Sequence, residues 1–471
     1  MSESETFVAA ARFAKRTLAI GLMAISLHVA QGTKTPALAD TGPADMASAP
    51  AGGIARTAFD YVTTFYPLWF TVAQSELPDP SLLYGPRRVT PEYRFVVAIN
   101  VDTLYASGFM YVEDEPLILT FPETEVTYSV LALDLYGNVY DVGLDAGAGS
   151  YVLAGPDFDG VVPMGLNRVD LPFNVMVVIV RSDKYSLSGD NQEVLSNRFR
   201  KGLTTQPLSD FLDGKSPNPS ILKSVAFFSI PLKSTVDFLT RERPIKFLKL
   251  LQKAVAADIV PPLSKQDQML SDRFDELFKG GDLTDAEKAK FAAAVLAAKE
   301  AIIEDYLDTR TSTNWTHFNN IGDWGDDVIQ RAAITEYCQY CNTIETAAYY
   351  HAFFDMRGDA LDGTDKDGYV LRFPRRKIPN VQRFWSLTAY TPGSVELIEN
   401  DQDKYAVASY TDGLVYDDDG SVSIYIARKK PSGVPEANWL PVVKGEFNVM
   451  LRLYGPEGNV EDYEPPAIKK R

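Results

Sequence analysis

One ordered series of strand-like segments occurs twice in the chain. Leu117-Ile-Leu-Thr-Phe-Pro122 is followed by an alternating run from Tyr128 to Tyr136, a Gly-Ser start at Gly149-Ser150-Tyr151, and Phe173-Asn-Val-Met176 running on to Val180. Tyr369-Val-Leu-Arg-Phe-Pro374 is followed by Phe384 to Tyr390, Gly420-Ser421-Val422, and Phe447-Asn-Val-Met450 running on to Leu453. Short apolar runs separated by Gly and Asp turns argue for antiparallel sheets packed face to face rather than a parallel sheet. The expectation is an α+β chain in which two related antiparallel β-sandwich or jelly-roll-like domains flank a helical domain.

The remaining segments fit around this pair. Arg56 to Phe70 has apolar residues at helical spacing, with Pro67 near its end. Leu195–Leu212, Ser234–Ala257 and Leu263–Phe278 are periodic in the same way, and Thr284-Asp-Ala-Glu287 is a capping box ahead of an Ala-rich helix from Phe291 to Leu307. Trp324 to Tyr350 reads as one or two further helices. The domain boundaries expected are a leading segment 1–39, a linker 40–53, an N-terminal β domain with its leading helix 54–185, a helical region 186–350 and a C-terminal β domain 351–471.

Residues 1–39 have the form of a secretory signal. Arg12, Lys15 and Arg16 precede an apolar run from Thr17 to Ala30, and Ala37-Leu38-Ala39 forms an A-x-A site before Asp40. The run is too short to span a bilayer comfortably, and no later stretch is apolar enough to cross one. A periplasmic or secreted protein with no integral membrane span is therefore expected. The whole chain carries a net charge of −17, and loss of residues 1–39, with four basic and two acidic side chains, makes it −19. Phosphate backbones and anionic membranes repel such a surface, which argues against nucleic acid as a partner.

The chemistry available is sparse. The two cysteines stand in Cys338-Gln-Tyr-Cys341. Redox-pair and zinc readings lack the strand before the motif and standard ligand spacing, leaving a short disulfide or two buried thiols. Beyond the leading segment only His317 and His351 remain, and no nucleophile elbow or phosphate loop is present. The Asp-rich turn 359–368 does not fit the register of a helix–loop–helix calcium loop. No metal and no cofactor is expected. Asp102, in Asn100-Val-Asp-Thr-Leu-Tyr105, and Asp134, inside a strand pattern, are the candidate catalytic carboxylates, each weighed against a turn or solvent-facing role.

These segments also resemble a family. Asn100-Val-Asp-Thr-Leu-Tyr105, Gly155-Pro-Asp-Phe-Asp-Gly160, Gly322-Asp-Trp-Gly325, Phe384-Trp-Ser-Leu-Thr-Ala-Tyr390, Asn438-Trp-Leu-Pro441 and Leu451-Arg-Leu-Tyr454 are similar to motifs of exported bacterial proteins that carry two paired domains of unknown function in one polypeptide. The resemblance implies two jelly-roll-like β domains around a helical region and supplies no activity. Val101 and the stretch Gly143-Leu-Asp-Ala-Gly147 depart from it, each lacking an Arg that the family pattern carries.

Two functions follow as expectations. The first is an exported protein binding a small polar or amphipathic ligand in a cleft between the β domains, lined by Asn100, Asp102, Tyr105, Asp134, Trp324, Trp385, Thr388 and Tyr390. Aromatic rings with polar edges suit such a ligand. The second is an exported hydrolase or lyase using Asp102 and Asp134 as acid and base, which requires carboxylates roughly 5–10 Å apart.

Overall fold

A computed structural model describes residues 53–144 and 147–471. The leading segment 1–39, nearly all of the linker, and Asp145 and Ala146 lie outside the described residues.

The N-terminal module is a two-sheet sandwich. Its strands are β1 (Tyr84–Pro86), β2 (Thr103–Tyr111), β3 (Leu117–Phe121), β4 (Tyr128–Leu133), β5 (Gly149–Ala154), β6 (Asn167–Asp170), β7 (Val175–Asp183), β8 (Thr204–Pro207), β9 (Asn218–Pro219) and β10 (Ile221–Lys223). One sheet runs β10-β1-β2-β7-β4 and the other β6-β5-β3-β8-β9. Strand β8 comes from a stretch whose periodicity suggests a helix, and β8 to β10 all fall in the region 186–350 expected to be helical, so the N-terminal sandwich reaches past residue 185. The C-terminal module has β11 (Ala347–Ala352), β12 (Tyr369–Phe373), β13 (Val381–Tyr390), β14 (Ala406–Ala408), β15 (Val422–Ala427), β16 (Trp439–Pro441), β17 (Asn448–Pro456) and β18 (Lys469–Lys470). Its sheets run β11-β17-β13-β14 and β16-β15-β12-β18.

The duplication holds as topology. The order β2-β7-β4 recurs as β11-β17-β13, and β6-β5-β3 recurs as β16-β15-β12. The rare feature recurs too: β5 runs parallel to β6, and β15 parallel to β16, inside otherwise antiparallel sheets. Residue by residue, the repeated words do not superpose. Val422 pairs with Phe373, whereas the residue paired with Phe121 is Gly149, so the two Gly-Ser starts are two positions apart. Met176 faces the interior of its sandwich, whereas Met450 faces the opposite side of its sheet. A one-residue change of phase flips every side chain of a strand.

Each sandwich has its own interior. Leu119, Phe121, Leu153 and Val178 fill the first, and Leu371, Phe373, Ile424 and Leu451 the second. The other faces of the two inner sheets, with Phe109 and Ile179 on one and Phe384 and Tyr454 on the other, join the helices in one larger cluster. This explains why β7 is buried along its full length: it is covered on both faces.

The helices are α1 (Gly53–Ser75), two shorter ones, α2 (Glu193–Gly202) and α3 (Leu208–Leu212), and then α4 (Leu232–Glu242), α5 (Pro244–Val255), α6 (Lys265–Phe278), α7 (Asp285–Asp308) and α8 (Val328–Cys338). Helix α1 packs on α5, α6, α7 and α8 and is apolar on nearly every side, as a central helix must be. It runs through Pro67 to Ser75, beyond the end expected from sequence. The proline removes one ladder donor, and Arg331 Nη2 donates to the nearby Thr64 carbonyl at 2.9 Å. The Thr284 capping box is present and opens α7. Tyr349 and Tyr350 lie in strand β11, not in a helix.

Candidate functional site

The two inner sheets meet at a buried polar seam. Asn100 organises its N-terminal side: Oδ1 accepts the N–H groups of Asp102 (3.0 Å) and Thr103 (3.1 Å) and the Thr103 hydroxyl (3.1 Å). This is the Asx turn that the spacing suggests. Asn100 Nδ2 then reaches across to Tyr454 Oη at 2.7 Å. The turn aims Asp102, which is fully buried, at the C-terminal module. Its Oδ2 accepts from Ser386 Oγ at 2.7 Å and its Oδ1 from the Tyr410 hydroxyl.

Beside it, Asp183 pairs with Thr103 in the sheet register and receives both Nε (3.0 Å) and Nη2 of Arg383. Burial pushes the Asp183 carboxyl above its ordinary range, and the guanidinium offsets this only in part. Arg452 Nη2 donates to the Ala98 carbonyl at 2.5 Å, and Tyr390 Oη to that of Ile99 at 2.8 Å. Asn100, Asp102 and Tyr390 thus meet where the sequence reading put them together. Thr388 lies there too, its buried Oγ1 without a hydrogen-bond partner among the described residues, and Tyr105 sits under the Arg181 guanidinium.

The outer edge of the seam opens into a groove of about 1350 Å³ walled by both modules. Val101, Thr103, Leu104, Lys184 and Tyr185 line it from one side, and Lys404, Tyr405, Tyr410 and Tyr416 from the other. Tyr185 and Tyr410 stack with ring centroids 3.9 Å apart, so Tyr410 joins the groove to the Asp102 carboxylate beneath it. Val101, where resembling proteins have Arg, faces this groove. Sequence reasoning missed Tyr185, Tyr405, Tyr410 and Arg88, all of which line it.

Three candidates stand elsewhere. Asp134 accepts from the N–H groups of Tyr136 and Asn138 (both 2.9 Å) and from Asn138 Nδ2 (2.7 Å). It is a turn carboxylate whose pKa burial raises. Asp102 precedes Thr103, which pairs with Asp183, whereas Asp134 follows Leu133, which pairs with Val177. The two positions are thus eight residues apart along β7, roughly 27 Å at about 3.4 Å per strand residue, so they form no acid–base pair. Trp385 points into the C-terminal sandwich and packs on Phe373. Strand alternation alone separates it from Thr388 and Tyr390. Trp324 lines a separate small cavity of about 10 Å³ with Tyr136, Tyr340 and Cys341.

Several other titratable groups are explained by packing. In the helical core Glu336 lies 2.5 Å from both Lys233 and Lys299. Burial alone would raise Asp237, but the same two ammonium groups hold it down to about 2. Two cations balance two anions there. His351 is buried between Tyr306 Oη (3.0 Å) and Asn448 Oδ1 (2.7 Å), and burial lowers it to about 3. Cys338 and Cys341 are bonded to each other. In the Asp-rich turn, Asp362 and Asp365 accept the N–H groups of Thr364 and Asp367. Among the described residues no group of three or more His, Cys, Asp or Glu is arranged to hold a metal ion, and no helix is long and apolar enough to cross a membrane.

Comparison with known proteins agrees with this division. Residues 81–207 match the family described as "Protein of unknown function (DUF1254)", and residues 346–458 match "Protein of unknown function (DUF1214)". No curated protein matches the chain. The crystal structure of the VPA0106 protein from Vibrio parahaemolyticus is similar at 19% identity and a TM-score of 0.56, over 89% of this chain and 100% of that one. An uncharacterized protein from Burkholderia cenocepacia gives 12% identity and a TM-score of 0.43, over 97% of this chain and 95% of that one. The chain belongs to the proteins that carry these two uncharacterised domains, DUF1254 and DUF1214, in a single polypeptide.

Proposed function

We propose that the protein is exported and binds a small polar or amphipathic ligand in the groove shared by its two β modules. The observation that carries this reading is the groove itself. It is large enough for a ligand of several rings, it takes its walls from both modules, and four tyrosines line it beside Arg88, Lys184 and Lys404. Tyrosine rings offer flat apolar faces with polar edges, and the cations offer donors. Export is supported by residues 1–39 and by the Cys338–Cys341 bond, which suits an oxidising compartment. The alternative of a hydrolase or lyase using Asp102 with Asp134 lacks comparable support, because those carboxylates stand at opposite ends of one sheet.

A thermal-shift screen of residues 40–471 against sugars, lipid headgroups and aromatic esters tests the binding. Tyr405→Ala and Tyr416→Ala should abolish the shift given by any true groove ligand. Hits that shift both variants as they shift the parent would refute the site. For export, protein recovered from a periplasmic fraction should begin at Asp40. Retention of the uncut chain in the cytoplasm would refute that part.

A further inference from the structure

A second cavity lies on the other side of the Asn100 segment, and its chemistry is different. It holds about 50 Å³ between the N-terminal inner sheet, the end of α1 and the segment from Phe227. Phe95, Phe109, Val177, Ile179 and Phe228 give it an apolar wall. Among its polar groups, Gln74 and Tyr340 satisfy each other and the Phe95 carbonyl, with Tyr340 Oη 2.7 Å from Gln74 Oε1 and Gln74 Nε2 2.6 Å from Phe95 O.

Arg181 is the exception. Its side chain lines the cavity and the residue is 5% exposed. Nη1 donates to Asn342 Oδ1 at 2.8 Å and Nη2 to the Tyr340 carbonyl at 2.6 Å. The guanidinium makes these two hydrogen bonds and lies over the Tyr105 ring, and among the described residues no carboxylate forms an ion pair with it. A buried guanidinium without an anion is costly to hold. Its two anchors are themselves built in. Tyr340 sits inside the Cys338–Cys341 loop with φ 59°, so the bridged turn presents the carbonyl that orients the guanidinium.

We infer that this cavity binds a short-chain monocarboxylate, with the carboxylate on Arg181 and the alkyl end against Phe109, Val177 and Ile179. One anion supplies the missing counter-charge and accepts bidentately from a planar fork. Since about 10–15 Å³ admits one water, the space admits roughly the non-hydrogen atoms of acetate or propionate.

The test is isothermal titration of the purified protein with acetate and propionate, and with acetamide and propionamide as neutral counterparts. The acids should bind saturably, and each amide about tenfold or more weaker than its acid, because the charge-assisted bonds are lost. Arg181→Gln should remove the preference for acids. Since Arg181 also anchors the Tyr340 turn, Val177→Phe provides an independent route: it fills the cavity, keeps the guanidinium, and should abolish binding with an unchanged circular dichroism spectrum. Absence of saturable binding by any of the acids, amides binding as tightly as acids, or parental affinity in folded Val177→Phe would each overturn the inference.

Discussion

The link between Asp183 and Arg383 gives the sharpest test of the seam. The two side chains come from different modules, 2% and 10% exposed, and are joined through two guanidinium nitrogens. Arg383→Met leaves an ionised Asp183 buried without its counter-charge, at a site where burial already raises its pKa. Breaking one side of such a pair costs about 3–5 kcal/mol. At about 2–4 °C per kcal/mol for a module of this size, the melting temperature should fall by roughly 6–20 °C. The loss should depend on pH in a fixed direction. A carboxyl whose folded pKa is raised contributes stability below its unfolded value, near 3.8, and that contribution disappears as pH rises through the folded value. The variant should therefore approach the parent near pH 4 and fall furthest behind it at pH 7–8. Adding Asp183→Leu should recover most of the loss, because a packed apolar pair can replace a buried ionic one at little cost. Urea unfolding at several pH values measures all of this. A cost under about 1 kcal/mol for Arg383→Met, or one equal at pH 4 and pH 8, would refute the reasoning.

Three further outcomes follow from single sites. Burial lowers His351 to about 3, so its contribution is present above pH 6.5 and is lost as pH falls through that window. Unfolding free energy should drop by on the order of 4 kcal/mol from this residue alone, and His351→Gln should flatten that part of the pH profile. At Gly85 an added Cβ would stand 1.9 Å from the Tyr105 carbonyl oxygen, so Gly85→Ala should force β1 from β2 and cost about 1–3 kcal/mol in chemical denaturation. The Cys338–Cys341 bond closes so short a loop that Cys338→Ser with Cys341→Ser should cost no more than about 2 kcal/mol by the same measurement.

The architecture was legible in the sequence because sandwich strands advertise themselves twice, through apolar runs and through the Gly and Asp turns between them. The order of the strand segments along the chain could be read that way, but not their order across the sheets. Register could not: the repeated Phe-Asn-Val-Met words sit on equivalent strands but turn Met176 and Met450 to opposite faces. Residues 347–350, the start of β11, read as helical because both faces of that strand are buried, which erases the alternation that marks a strand. Helix α1 passed Pro67 because the surrounding helices, not local propensity, hold it. Asn100 and Asp102 were legible because a polar turn stands directly before an apolar strand, and Tyr390 because it ends the segment Phe384–Tyr390. Arg383, Tyr185 and Tyr410 gave no such signal: their partners lie more than 180 residues away, and only the folded chain brings them together.

The central claim is that two like-ordered β modules close on one shared ligand groove. Hydrogen–deuterium exchange on residues 40–471, with and without the best ligand from the thermal-shift screen, tests it most directly. The account predicts that ligand slows exchange together in 101–104 and 184–191 of the first module and in 402–416 of the second. Slowed exchange confined to one module, or in segments away from the groove, would contradict it.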